Sequence, residues 1–406
     1  MKLTLKELRK KLYIFATEKT IGFTLISIFL GLVVGAIFLA AAGFNPFQAY
    51  GIILRGIFSK PSYISYTIVR ATPLILTGLS IAFAFKTGLF NIGAEGQYII
   101  GAVVATAAGY FLHLPLLIHI PVVIISAVLA AGIWGGLAGY FKAKFGVHEV
   151  ISTIMLNWIA LYFQNFLIYT KGFQKPGGET SHSIQPTANM MILKTWKQSE
   201  AGREWLLQHP FWKDLLRTPM NWGFLIAVLM AVLVWFILNK TALGYRLRAV
   251  GFNKFAAEYG GINVNKNMII SMFIAGGLAG LAGALQVVGV SHKVTLIAAM
   301  EGYGFDGIAV ALIANSSALG CILAGLLFGA LKYGGAKIQP FMQAPSEVIN
   351  IVIGSIVFFI AIPKLIKVIL TTKYKKIVID SIAFFISIPK LIKVILTRKN
   401  KKGGIK

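Results

Sequence analysis

Few residues in this sequence could do chemistry, and those few sit in apolar surroundings. The segment KTGLFNIGAEGQYIIGA (86–102) sets Asn91, Glu95 and Gln97 among Gly88, Gly93, Gly96 and Gly101. Glycines leave the backbone permissive, and a carboxylate in an apolar stretch must face protein or water. Glu95 has two readings: a cap that offsets the dipole of its own helix, or a gate that touches a passing solute. The 18 positions from Glu95 to His113, at about 1.5 Å each, put Glu95 about 26 Å below the outer end of that helix, toward the inner boundary.

The segment HEVISTIMLNWIALYFQNF (148–166) steps Glu149, Thr153, Asn157, Leu161 and Gln164 along one helix face. Such a stripe faces other helices. Thr153 is read as an interhelical hydrogen bonder and mid-span Asn157 as a cavity-lining amide. In GYGFDGIAVALIANSSALGCILAGLLFGALKYGG (302–335), Gly302, Gly304 and Gly307 bracket Phe305 and Asp306 at the outer start of a short span. Asn315–Ser317 then make a tight polar turn. Asp306 is expected at the N-terminal end of a half-helix, either as a cap or within reach of a solute.

The most informative stretch outside the apolar runs is TALGYRLRAVGFNKFAAEYGGINVNKNM (241–268). It reads as Arg246 and Arg248, a turn at Gly251, Phe252 and Asn253, and a short helix Lys254–Tyr259 stopped by Gly260 and Gly261. This is either a partner-docking element or a solvated connector. In the docking reading, Ala256 and Ala257 allow close approach while Phe255 and Tyr259 supply bulk. No G-x-x-x-x-G-K-[ST] loop, H-E-x-x-H pair or G-x-S-x-G elbow is present, and the six His residues show no metal-ligand spacing. No metal or cofactor is expected, and any ATP that drives the protein must bind another chain.

The elements that hold these residues follow from composition. The 406 residues are 57% hydrophobic and 13% charged, with mean hydropathy +0.77, too apolar for a soluble globule. Each span needs about 20 apolar residues, and backbone satisfaction in lipid favours helices. An all-α polytopic bundle is expected, with about ten spans near 21–43, 65–86, 93–112, 116–140, 150–169, 222–239, 267–289, 303–315, 317–334 and 346–362, discontinuous near 303–334.

The net charge of +26 lies mainly between these runs and at the ends, a positive-inside pattern with no need of nucleic acid. With an even number of crossings both Lys-rich termini are expected in the cytoplasm, along with loops 141–149 and 240–266. A basic tail (1–20) then precedes a permease domain (21–362), whose outer loop 170–221 carries short interfacial helices. The segments FFIAIPKLIKVILT (358–371) and FFISIPKLIKVILT (384–397) repeat at a period of 26 residues. The second copy is too short to span, so 363–406 reads as a duplicated basic tail on the inner membrane face. Cys321, the single cysteine, reads as a small buried hydrophobe.

Four ordered blocks, GLFNIGAEGQ (88–97), EVISTIMLNWIA (149–160), LRAVGFNKFAAEYGGINV (247–264) and GFDGIAVALIANSSALGCILAGLLFGAL (304–331), resemble the permeases of bacterial simple-sugar and nucleoside ABC importers. The resemblance runs from about residue 20 to 362 and is nearest the nucleoside-type branch that works with basic membrane lipoproteins. Asn315–Ser317 departs from the Gly-Arg-Asn-like turn of the family, and the duplicated tail lies outside its pattern. The resemblance implies a cell-membrane importer built from two permease subunits as a heterodimer, a double-cassette ATPase inside and a lipid-anchored binding protein outside. It makes 251–261 the coupling helix and the chain a transport subunit, not an enzyme. A self-sufficient secondary transporter, which needs no docking loop, and a membrane-embedded enzyme are the alternatives. A nucleoside path needs aromatic faces and amides, which Phe90, Asn91, Asn157, Phe305 and Asp306 could supply.

Overall fold

The computed structural model describes residues 20–361. The basic N-terminal tail and the duplicated C-terminal tail, with the expected side of both termini, lie outside the described residues.

Helix boundaries follow local chemistry. Helix α1 (Thr20–Ala41) ends at Gly43, whose φ of +88° is a left-handed turn. Asn45 then accepts from the amides of Phe47 and Gln48 and, with Pro46 in the first turn, starts α2 (Pro46–Phe58). Pro61 opens α3 (Pro61–Lys86) in the same way. There follow α4 (Ala94–Phe111), α5 (Leu116–Phe145) and α6 (Glu149–Ile168). The long connection 170–221 holds a 3-10 turn and three short helices, α7 (Lys194–Gln198), α8 (Glu200–Gln208) and α9 (Pro210–Leu216). Next come α10 (Gly223–Lys240), α11 (Ala242–Phe252), α12 (Lys254–Tyr259) and α13 (Val264–Gln286), the last extended by a π-helical turn to Ser291. The chain continues through α14 (Tyr303–Ile313), α15 (Gly320–Gly335), α16 (Ile338–Met342) and α17 (Ser346–Ala361). Among the described residues there are isolated β-bridges but no strand.

The all-helical architecture is as expected, but a count of ten spans is not confirmed among the described residues. Among the described residues six helices are long and apolar enough to cross a membrane, or seven if α1 and α2, bent by 118°, count as one broken span. Helix α14 is an 11-residue piece, whereas the chain from Gly320 to Met342 is long enough to cross. Counting apolar runs overlooked α2 altogether, because its Gln48 and Arg55 interrupt the run while leaving one apolar face.

The described residues form two compact units, one of 20–56 with 334–361 and one of 57–333. In the first, α1 packs on α17. In the second, α13 is the central helix, packed against α3, α4 and α5. Small residues allow that contact. A Cβ on Gly101 of α4 would lie 2.2 Å from the Gly280 carbonyl, and one on Gly283 would lie 2.1 Å from the Tyr98 carbonyl. Lipid tails give apolar side chains no reason to leave them, so close backbone packing has to hold such helices together.

Candidate functional site

Between α3 and α4 the backbone unwinds over 87–93, and most of the residues singled out on this stretch serve to tie it down. Asn91 is fully buried; its amide donates to Ser80 Oγ (3.1 Å) and Gln97 Oε1 (2.8 Å), and its carbonyl oxygen accepts from the Gly93 amide. Asn157, 1% exposed, accepts from Gly96 N (2.8 Å) and donates to Ile92 O (3.1 Å). The Asn157 amide clips α6 to the start of α4, and neither Asn91 nor Asn157 is among the residues lining the two cavities described below. Thr153 bonds to Glu149 O and Val150 O of its own helix instead of to a neighbour. Phe90 stacks on Phe85 at 5.1 Å.

Glu95 caps a helix, but not its own. Its carboxylate accepts from Gly302 N (2.7 Å) and Gly304 N (2.5 Å), the free amides at the start of α14. Gly304 is required here, since a Cβ would lie 2.2 Å from Glu95 N. This contact corrects the expected depths, because Glu95 cannot lie near the inner boundary while Gly302 lies at the outer start of a span. Asn157, bonded to Gly96, stands eight residues into the 20-residue α6, about 12 Å from its start. Thr77, whose hydroxyl is 2.9 Å from Tyr303 O, stands nine residues from the end of α3, about 14 Å in. Glu95 and the start of α14 therefore lie near mid-membrane.

At this level a cavity of about 330 Å³ opens in the 57–333 unit, lined by Arg70, Leu74, Gln286, Glu301, Tyr303, Asp306 and Lys332. Asp306, in the first turn of α14, pairs with Lys332. Glu301 accepts from the buried Tyr98 hydroxyl (3.0 Å), and the Tyr98 and Tyr303 rings lie 5.3 Å apart. Arg70 lies 5.7 Å from the centre of the Tyr333 ring. Of the solute-path candidates only Asp306 lines this cavity; Phe305 is exposed and is not part of its lining. Arg70, Tyr98, Glu301, Tyr303 and Lys332 were not anticipated. The signal was there for Arg70, an ionisable residue inside an apolar run; for Glu301 and Lys332 it was hidden, because both sit at the edges of such runs.

A second cavity, about 530 Å³, lies at the Lys86 end and is lined by Lys86, Asn239, Arg248, Gly251, Ser316 and Ser317 among others. The turn at 315–317 is thus beside the 241–268 loop, with Asn315 and Ser316 both at positive φ. Helix α11 runs through Gly251 and Phe252, so the turn narrows to Asn253, whose side chain caps α12 by accepting from Phe255 N and Ala256 N. Phe252, Phe255 and Tyr259 are 90%, 70% and 98% exposed, whereas Ala257 is 5% exposed and packs inward. Gly260 and Gly261 end the helix, Gly261 at φ +79°. Gly251 lies on the unwound segment: a Cβ there would come 2.3 Å from Lys86 O and 3.1 Å from Gly88 N.

The family model described as "Branched-chain amino acid transport system / permease component" matches residues 63–361. The guanosine ABC transporter permease protein NupP of Bacillus subtilis (strain 168) is 41% identical over 353 residues, 87% of this chain and 96% of its own. The nucleoside ABC transporter permease protein NupB of Lactococcus lactis subsp. cremoris (strain MG1363) is 36% identical, covering 85% of this chain and 92% of its own. A second guanosine ABC transporter permease protein of the same Bacillus subtilis, NupQ, is 31% identical over 69% of this chain and 84% of its own. No solved structure matches.

Proposed function

The chain belongs to the branched-chain amino acid transport system permease component family, and from that premise we propose that it carries nucleosides or related simple sugars inward. It is an integral membrane permease subunit of an ABC importer and a transport component, not an enzyme. The observation that carries the substrate class is the 41% identity to a guanosine permease across 96% of that relative. That two permeases of one organism both resemble this chain supports a heterodimer with a second permease.

The 251–261 element is the docking site for a double-cassette ATPase, through the exposed Phe252, Phe255 and Tyr259. That end of the bundle then faces the cytoplasm, and the 170–221 connection faces a lipid-anchored binding protein. Gly251 against Lys86 and Gly88 gives ATP-driven movement of the docking element a direct contact with the unwound 87–93 segment. Glu95 carries it on to the start of α14, where Asp306 lines the mid-membrane cavity. A secondary transporter has no use for three bare aromatics on a loop.

The test is uptake of labelled guanosine into vesicles holding this chain, a second permease, the ATPase and the binding protein, with ATP at the docking face. Accumulation that needs ATP and all four parts is expected. ATP-independent exchange by this chain alone would return the secondary-transporter reading.

A further inference from the structure

The mid-membrane cavity holds two acidic and two basic side chains, and only one opposite pair is joined. Asp306 pairs with Lys332. Arg70 and Glu301 form no ion pair among the described residues, with each other or with anything else. Both are exposed on the cavity side of the fold at a depth where unpaired charge is costly. Charges left in this way at mid-membrane are positions where a passing solute provides the missing partner.

We propose that Glu301 and Arg70 form a hydroxyl-reading station that takes the vicinal diol of a ribose or similar sugar ring. The idea rests on the importer reading above and names what this site recognises. The station is balanced in charge, so it suits a neutral solute and offers none of the surplus that an ionic one requires. A carboxylate has two oxygens to accept from two neighbouring hydroxyls, and the guanidinium fork donates to the oxygens of the same pair. Each hydroxyl both donates and accepts, so one diol satisfies both residues at once. Glu301 is held in place by the Tyr98 hydroxyl, itself on a 3% exposed side chain. The Tyr303 ring lines the cavity, backed by the Tyr98 ring 5.3 Å away, and gives it an apolar surface suited to a sugar or base face. The volume, about 330 Å³, is at the small end of ligand sites, adequate for one ring with its hydroxyls.

The experiment compares uptake of a ribonucleoside with that of its 2′,3′-dideoxy counterpart by the complete four-part complex, in wild type, Glu301→Gln and Tyr98→Phe. The binding protein is the same throughout, so its own selectivity cancels when variant and wild-type ratios are compared. Hydrogen bonds to a charged group contribute enough to make the wild-type preference roughly tenfold to a hundredfold. Glu301→Gln should reduce that preference at least tenfold, and Tyr98→Phe should reduce it partly, because it frees the carboxylate without removing it. An unchanged ratio in Glu301→Gln overturns the proposal. Should Glu301→Gln carry neither solute, an unchanged ratio in Tyr98→Phe overturns it. A wild-type complex that moves both solutes equally also overturns it while leaving the importer reading intact. A wild-type complex that moves no nucleoside at all defeats the importer reading instead.

Discussion

Two residues define the chemistry of the unwound centre and its rim. Glu95 accepts from two amides that otherwise have no partner at the start of α14. Glu95→Ala should therefore cost about 2–6 kcal/mol, at about 1–3 kcal/mol for each stranded amide. Glu95→Gln, which keeps one acceptor, should cost less. Thermal unfolding of the purified chain in detergent measures both, and equal midpoints for Ala and wild type would refute the clamp. His292, in the connection beyond the last turn of α13, behaves differently. Burial first, and the nearby Lys194 charge second, hold its imidazole below the ordinary value of 6.5. The folded chain therefore binds fewer protons than the unfolded chain just below pH 6.5. Stability from this site is complete above that pH and declines as pH falls through it toward the depressed folded value. Its Nε2 lies 3.3 Å from the Asn189 amide, a contact that a neutral ring accepts and a protonated ring cannot. Melting curves at pH 7.5 and 5.0 should show a steeper loss for wild type than for His292→Gln.

At the scale of elements, α12 is the piece whose two faces do different jobs. Ala257 packs inward and Tyr259 stands 98% exposed. Ala257→Asp buries a charge in the chain's own fold, so it should lower the melting temperature with or without an ATPase present. Tyr259→Ala should leave the melting temperature alone. If Tyr259 is an interface anchor worth about 2 kcal/mol, its loss weakens ATPase association roughly thirtyfold. Co-purification of the ATPase with each variant separates the two effects. Wild-type recovery with Tyr259→Ala and with Phe252→Ala alike would remove this loop from the docking surface. The loop's short helix was legible from the sequence because Asn253 and the Gly260–Gly261 pair are local signals, readable without a neighbour. Which of its residues face out was not, since six residues are too few for a periodicity.

For the whole molecule, the division of labour across the membrane is the prediction. The 241–268 loop and the 315–317 turn meet at the cavity beside Lys86, whereas the 170–221 connection carries both charge signs. Leaving out the ATPase or the second permease in turn should abolish guanosine accumulation each time, because this chain has no nucleotide-binding loop of its own. Six or seven candidate crossings among the described residues, where the sequence suggested ten, leave that division unchanged, because it rests on loops meeting at one end and not on parity.

What the sequence by itself determined was class and kinship: apolar content dictated a helical membrane protein, and four blocks of residues identified the permease family. Helix starts such as Asn45–Pro46 and Asn253 were written locally, because a cap depends on the next three amides only. The tertiary structure alone decided what the polar residues do. Asn91, Gln97 and Asn157 look the same in sequence whether they line a path or fasten an unwound backbone, and the difference is whether their partners are protein groups already in place. Glu95 meets Gly302 and Gly304 across more than 200 residues, and Glu301 and Arg70 reach one cavity from positions just as far apart in the chain. Such meetings follow from how α13 packs against α3 and α4, which no periodicity in a single segment encodes.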